Sequence, residues 1–116
     1  MEQRRTQRLK IEIPATFKIT NQQEHVSIGT TLNISATGLC LQTKERLTPG
    51  QDLAISLNLP SYEKVTMNVR VIWVQETDFS LTSDYLIGIK ITESLKSEEV
   101  KFIKYYVSQL LDFYKK

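Results

Sequence analysis

Residues 9–19 alternate apolar and polar without a break. Leu9, Ile11, Ile13, Ala15, Phe17 and Ile19 fall on one side, and Lys10, Glu12, Pro14, Thr16, Lys18 and Thr20 on the other. A period of two sends successive side chains to opposite faces of an extended chain, so this stretch reads as a half-buried β-strand. Pro14 has no N–H to give to a ladder, and its place on the polar face predicts an edge or a bulge there. The same pattern then recurs. Val26, Ile28, Thr30 and Leu32 mark a second strand that runs into Asn33, and Leu39 to Thr43 a short third. Leu53, Ile55, Leu57 and Leu59 mark a fourth, closed by Pro60-Ser61. Val65, Met67, Val69, Val71 and Trp73 make a long fifth, with Asn68 and Arg70 opposite, and Tyr85, Ile87, Ile89 and Ile91 a sixth. Asn21 to Glu24 is a turn, as is Thr48-Pro49-Gly50, where Pro and Gly stand in their favoured order. Six successive strands with short connections and no helix between them predict an all-β fold. The expected architecture is a six-stranded antiparallel, Greek-key-like β-barrel over residues 9–92.

The period changes near residue 97. Ser97 is a candidate N-cap, and Glu98 and Glu99 lie in a first turn where the helix dipole favours negative charge. Val100, Ile103, Val107, Leu110, Leu111 and Tyr114 then fall within an arc of about 100° at helical spacing. Phe102, Tyr106 and Phe113 widen the stripe to about half the helix surface, and Lys101, Lys104, Ser108, Asp112 and Lys115 take the rest. This predicts a C-terminal α-helix over 97–114 that plugs or covers the barrel. Its extra aromatic flank is then left for a second protomer, as in a homodimer, or for a protein partner.

A chain of 116 residues is one domain with one modest core. The formal charge of +2 is too small to imply a nucleic-acid polymer as partner. The distribution of charge matters more, because Arg4, Arg5, Arg8 and Lys10 face only Glu2 in the first ten residues. Residues 1–8 therefore read as a basic N-terminal arm. No apolar run approaches the roughly 18 residues of a membrane span, so no membrane insertion is expected. No signal-peptide core follows the basic start. The single cysteine, Cys40, excludes an internal disulfide and fits a reducing compartment, so a cytoplasmic protein is expected. His25 is the only histidine and lies in a polar turn, which leaves Ser35 without a base to make it a nucleophile. Neither His25 nor Cys40 has companions at metal-ligand spacing. The residues point to no enzyme, no metal and no cofactor.

One connection carries more than a turn requires. Asn33-Ile34-Ser35-Ala36-Thr37-Gly38 joins the second and third strands. Asn and Ser side chains can bond nearby backbone and hold an irregular loop open. Gly38 permits a positive φ or a close approach of the backbone to something bound. An amide oxygen, a hydroxyl and bare N–H groups in one small area suit a polar, anionic ligand, and the basic arm supplies the charge they lack.

Arg4-Arg5-Thr6-Gln7-Arg8 and Asn33-Ile34-Ser35-Ala36-Thr37-Gly38 together resemble the signature of the PilZ domain, an R-x-x-x-R box followed by [D/N]-x-S-x-x-G. Val69-Arg70-Val71-Ile72-Trp73 and Ile87-Gly88-Ile89 are similar to that family's last strands. The resemblance implies a receptor for the bacterial second messenger cyclic di-GMP. The chemistry is consistent with it: guanine O6 and N7 match the fork of an Arg, which also pairs with phosphate and stacks on a base. Position by position, it assigns Arg4 and Arg8 to guanine and phosphate, with Arg5 as an auxiliary. It assigns Asn33 and Ser35 to the base edge and loop, and Gly38 to loop geometry. Asn33 has one carbonyl oxygen where the family's Asp has a carboxylate, which predicts weaker binding. The arm is expected to be mobile until ligand gathers it, and that ordering is the expected signal to a protein partner. Arg70 and Trp73 read as a solvent-facing charge and a core aromatic that could also line the ligand surface. A PilZ-like adaptor that does not bind the nucleotide is the alternative. A barrel for single-stranded nucleic acid ranks third, since the outward strand positions are mostly Thr, Ser, Asn and Glu.

Overall fold

The computed structural model describes residues 7–22, 24–77 and 84–115, so Arg4 and Arg5 lie outside the described residues. Six strands precede one helix: β1 (Pro14–Ile19), β2 (Ser27–Ile34), β3 (Gly38–Thr43), β4 (Asp52–Asn58), β5 (Lys64–Thr77), β6 (Asp84–Ile91) and α1 (Lys96–Lys115). All strand pairs are antiparallel. The sheet closes on itself in the order β1-β2-β3-β6-β5-β4. The chain thus makes two three-stranded meanders, and the β3–β4 connection carries it from one to the other. Leu47 of that connection is buried in the core. Gly50 has φ +95°, and Gln51 N–H donates to Thr48 O at 3.1 Å, which closes the expected Pro-Gly turn. Phe17, Leu39, Leu41, Leu53, Ile55, Leu57, Val65, Met67 and Ile87 are almost wholly removed from water. They are the inward half of the alternating pattern, and their burial is the main favourable term in closing the barrel.

The first strand is shorter than its pattern. Leu9, Ile13, Ala15 and Phe17 are all buried as the alternation requires, yet the ladder begins only at Pro14. The reason lies in Thr31, which is fully buried. Its hydroxyl donates to Ile11 O at 2.6 Å and accepts from Ile13 N–H at 2.8 Å, so a side chain supplies bonds that a ladder would have made. Pro14, with no N–H to give, is the first residue of the strand.

The second strand corrects the expected pattern. Val26 and Ile28 are exposed, while Ser27 and Thr31 are buried, so the apolar set at 26 and 28 faces outward. A register shift between Thr31 and Asn33 then re-phases the strand, and Ile34 points into the core. Strand β5 has a second shift, between Val71 and Trp73. Val65, Met67, Val69 and Val71 point inward as expected, but Ile72 and Trp73 are both exposed. The core aromatic expected at Trp73 is a surface one.

Helix α1 also reverses an expectation. Phe102 and Tyr106 are its buried residues, with Tyr105 and Leu110 partly buried against the same core. Val100, Ile103, Val107, Leu111 and Tyr114 are exposed. The aromatic flank therefore docks on the barrel, and most of the aliphatic arc faces out. The helix starts one residue before Ser97, with Leu95 O accepting from the N–H groups of Glu98 and Glu99. The Glu98 carboxylate accepts from Thr66 N–H at 2.8 Å and pairs with Lys101 at 3.0 Å, tying the first turn to β5.

Candidate functional site at the β2–β3 connection

The tight loop after β2 is built by one hydroxyl. Ser35 is 2% exposed, and its Oγ accepts from Thr37 N–H at 3.3 Å and Gly38 N–H at 3.2 Å while donating to Gly38 O at 3.3 Å. Of the two roles given to Ser35, base edge and loop, its bonds fill the loop role. Gly38 does not have a positive φ. A Cβ there would lie 2.2 Å from Ile89 O, so what approaches closely is the neighbouring strand β6, not a bound molecule.

Asn33 is the loop's outward group. The β2 bulge is what turns it away from the core, and an isolated bridge holds Leu9 beside it. Leu9 N–H donates to Ile34 O at 2.8 Å, and Ile34 N–H returns a bond to Leu9 O at 2.9 Å. That bridge sets Arg8 over the loop, where its Nη1 donates to Asn33 Oδ1 at 2.6 Å. Two segments 25 residues apart thus meet at one contact.

Antiparallel pairing puts Asn33 opposite Cys40, Cys40 opposite Gly88, and Gly88 opposite Trp73. Paired residues share a face, so these four form one row across β2, β3, β6 and β5 on the outside of the barrel. Gly88 is bare because the indole fills its place: a Cβ there would meet Trp73 Nε1 at 2.1 Å. The row therefore runs from the Arg8–Asn33 pair, past a small buried thiol, to a partly exposed indole. Burial raises the Cys40 thiol pKa, and the nearby Arg8 charge opposes the rise. Arg70 lies apart from this row, bonded through Nε to Asp52 Oδ1 at 2.8 Å. The bulge that brings Trp73 outward has no sequence mark, because Ile72 and Trp73 are both apolar and either could continue the inward face.

The other side of the arm meets α1. Tyr106 Oη donates to Gln7 O, and Tyr114 Oη bonds Gln7 Oε1 at 3.2 Å. A cleft of about 360 Å³ opens there, lined by Arg8, Lys10, Gln109, Asp112 and Phe113 among others. Asp112 sets a carboxylate in it, which suits an anion poorly. Among the described residues no His, Cys, Asp or Glu cluster could hold a metal, and no helix is long and apolar enough to cross a membrane.

A closed barrel of this strand order, with a polar site on its outside wall where Arg8 meets the β2–β3 loop, defines a class of small β-barrel with its core inside. The family model for the PilZ domain matches residues 2–109, and the chain belongs to the PilZ domain family. The fold is similar to the PilZ domain of YcgR from Escherichia coli, solved with c-di-GMP, at 12% identity and a TM-score of 0.76, covering 98% of this chain and 96% of that one. It is also similar to the K. pneumonia MrkH–c-di-GMP complex, at 20% identity and a TM-score of 0.79, over 100% of this chain and 56% of that one. A third likeness is to the Bacillus subtilis inhibitor of motility MotI/DgrA, at 15% identity and a TM-score of 0.73, over 97% of this chain and 53% of that one. The chain thus spans about half the length of the last two. A comparison with curated protein sequences gives no match.

Proposed function

We propose that the chain is a cytoplasmic receptor for cyclic di-GMP, without chemistry of its own, that signals to a protein partner by ordering its N-terminal arm. The observation that carries the reading is the 2.6 Å bond from Arg8 to Asn33, which joins the family's two boxes in one place. The guanidinium fork takes guanine O6 and N7 or a phosphate, and Asn33 Oδ1 takes the N–H donors of the opposite guanine edge. Because Arg8 already occupies that oxygen, ligand entry exchanges one partner for another, and the arm moves with it. Arg4 and Arg5 complete the first box. Ser35 and Gly38 act by holding the loop. Trp73, at the far end of the row, offers a face on which a base can stack.

Calorimetric titration with cyclic di-GMP, beside Arg8→Ala and a GMP control, tests this. Micromolar or tighter binding that is lost in the variant is the expected result. No heat and an unchanged melting temperature would overturn it and favour the adaptor that does not use the nucleotide, for which the Arg8–Asn33 pair has no purpose.

A further inference from the structure

Val100, Ile103, Val107 and Tyr114 form an exposed apolar stripe on α1, and Leu110 on its edge is shared with the barrel core. Val100, Ile103 and Val107 are spaced three and four apart, as are Val107, Leu110 and Tyr114. That is the a/d seam of a coiled coil over two heptads. At 100° per residue the seam is centred about 120° around the helix from Phe102, a residue buried against the barrel. A second helix can reach Val100, Ile103, Val107 and Tyr114, which are all exposed, while Leu110 borders the barrel.

We propose that the seam pairs with the same seam of a second copy, as a parallel two-stranded coil that makes the chain a homodimer. The flanking charges select a second copy and the parallel direction. Glu99 falls at the g position and Lys104 at the e position five residues on. In a parallel pair g faces e of the partner helix, which gives two symmetric Glu99–Lys104 contacts. Neither side chain forms an ion pair with another described residue of its own protomer. An antiparallel pair would set g against g and e against e, and no opposite charges would meet. The valines at a suit two strands, although Ile103 stands at a d position where Leu favours that state. Two heptads are too short to form a coil from unfolded chain, but here the barrel already holds the helix, so pairing costs little ordering. So small an interface gives a weak dimer set by concentration. The proposal does not rest on the nucleotide reading.

Sedimentation equilibrium of the full chain, from about 1 µM to about 1 mM, tests it. A reversible monomer–dimer equilibrium is expected. Val107→Glu, at a position already 42% exposed, leaves the circular dichroism unchanged and abolishes the dimer. Lys104→Glu sets like charges against Glu99 of the second copy and weakens pairing by about tenfold, and adding Glu99→Lys restores it. With Cys40→Ser, a Val100→Cys variant crosslinks to itself under an added oxidant, which only a parallel pair permits. A chain that stays monomeric throughout returns the seam to a foreign partner and overturns the proposal. So does a dimer indifferent to Val107→Glu, to the charge exchange, or to crosslinking at position 100.

Discussion

Ser35 and Gly38 are loop residues whose chemistry is spent inside the protein. The serine hydroxyl ties three loop groups together, and the glycine exists so that β3 can lie against Ile89 of β6. Motif residues of this kind look like ligand contacts in a sequence because Ser and Gly serve both purposes. The distinction predicts how their substitutions behave. Gly38→Ala forces a methyl onto a backbone carbonyl that no side-chain rotation can move. We expect a loss of about 3 kcal/mol of stability in urea unfolding, with Thr37→Ala, at an exposed position, close to neutral. Arg8 and Asn33 differ in kind, since their contact is at the surface and their loss should spare the fold. An unchanged urea midpoint for Gly38→Ala would mean that the two strands part more easily than their pairing suggests.

At the level of elements, α1 is pinned by its first turn. The Thr66 N–H bond, and then the Lys101 ammonium, hold the Glu98 carboxyl below its ordinary value of 4.5. A depressed carboxyl stabilises the folded state above its unfolded pKa, and that contribution is lost as pH falls through the folded value. The melting temperature of the parent should therefore exceed that of Glu98→Gln at neutral pH, with the gap closing as pH falls below the ordinary carboxyl range. A gap that does not depend on pH would refute the assignment. Alternation made the barrel legible, because every strand but β2 has a full set of inward apolar residues. It did not reveal the two bulges. At Ile72-Trp73 two adjacent apolar residues hide the change of phase, and at Thr31 a polar residue is buried for the bonds its hydroxyl makes. Nor could periodicity choose between the faces of α1, since half its surface is apolar. In the fold Phe102 and Tyr106 take the barrel side and most of the aliphatic arc is left outside. The two boxes were legible as motifs, but that they meet depends on the Leu9–Ile34 bridge, which no local pattern encodes.

Across the whole molecule, α1 reaches back to the start of the described chain at Gln7. Tyr106 and Tyr114 both bond Gln7, the residue just before Arg8. The helix therefore positions the arginine from behind while the loop receives it in front. Tyr106→Phe keeps the ring in the core and removes only the donor to the Gln7 carbonyl. Affinity for cyclic di-GMP should fall about fivefold, with little change in melting temperature. Parent affinity in that variant would mean that the Leu9–Ile34 bridge alone sets the arm.

That same contact has a consequence for how the protein is made. Gln7 and Tyr106 lie 99 residues apart along the chain, and Tyr114 lies 107 from Gln7. A ribosome adding about 5–20 residues per second exposes Gln7 many seconds before the tyrosines that bond it exist. Through that interval Arg8 has no helix behind it, so its placement over Asn33 is completed late and at once, when α1 emerges and docks.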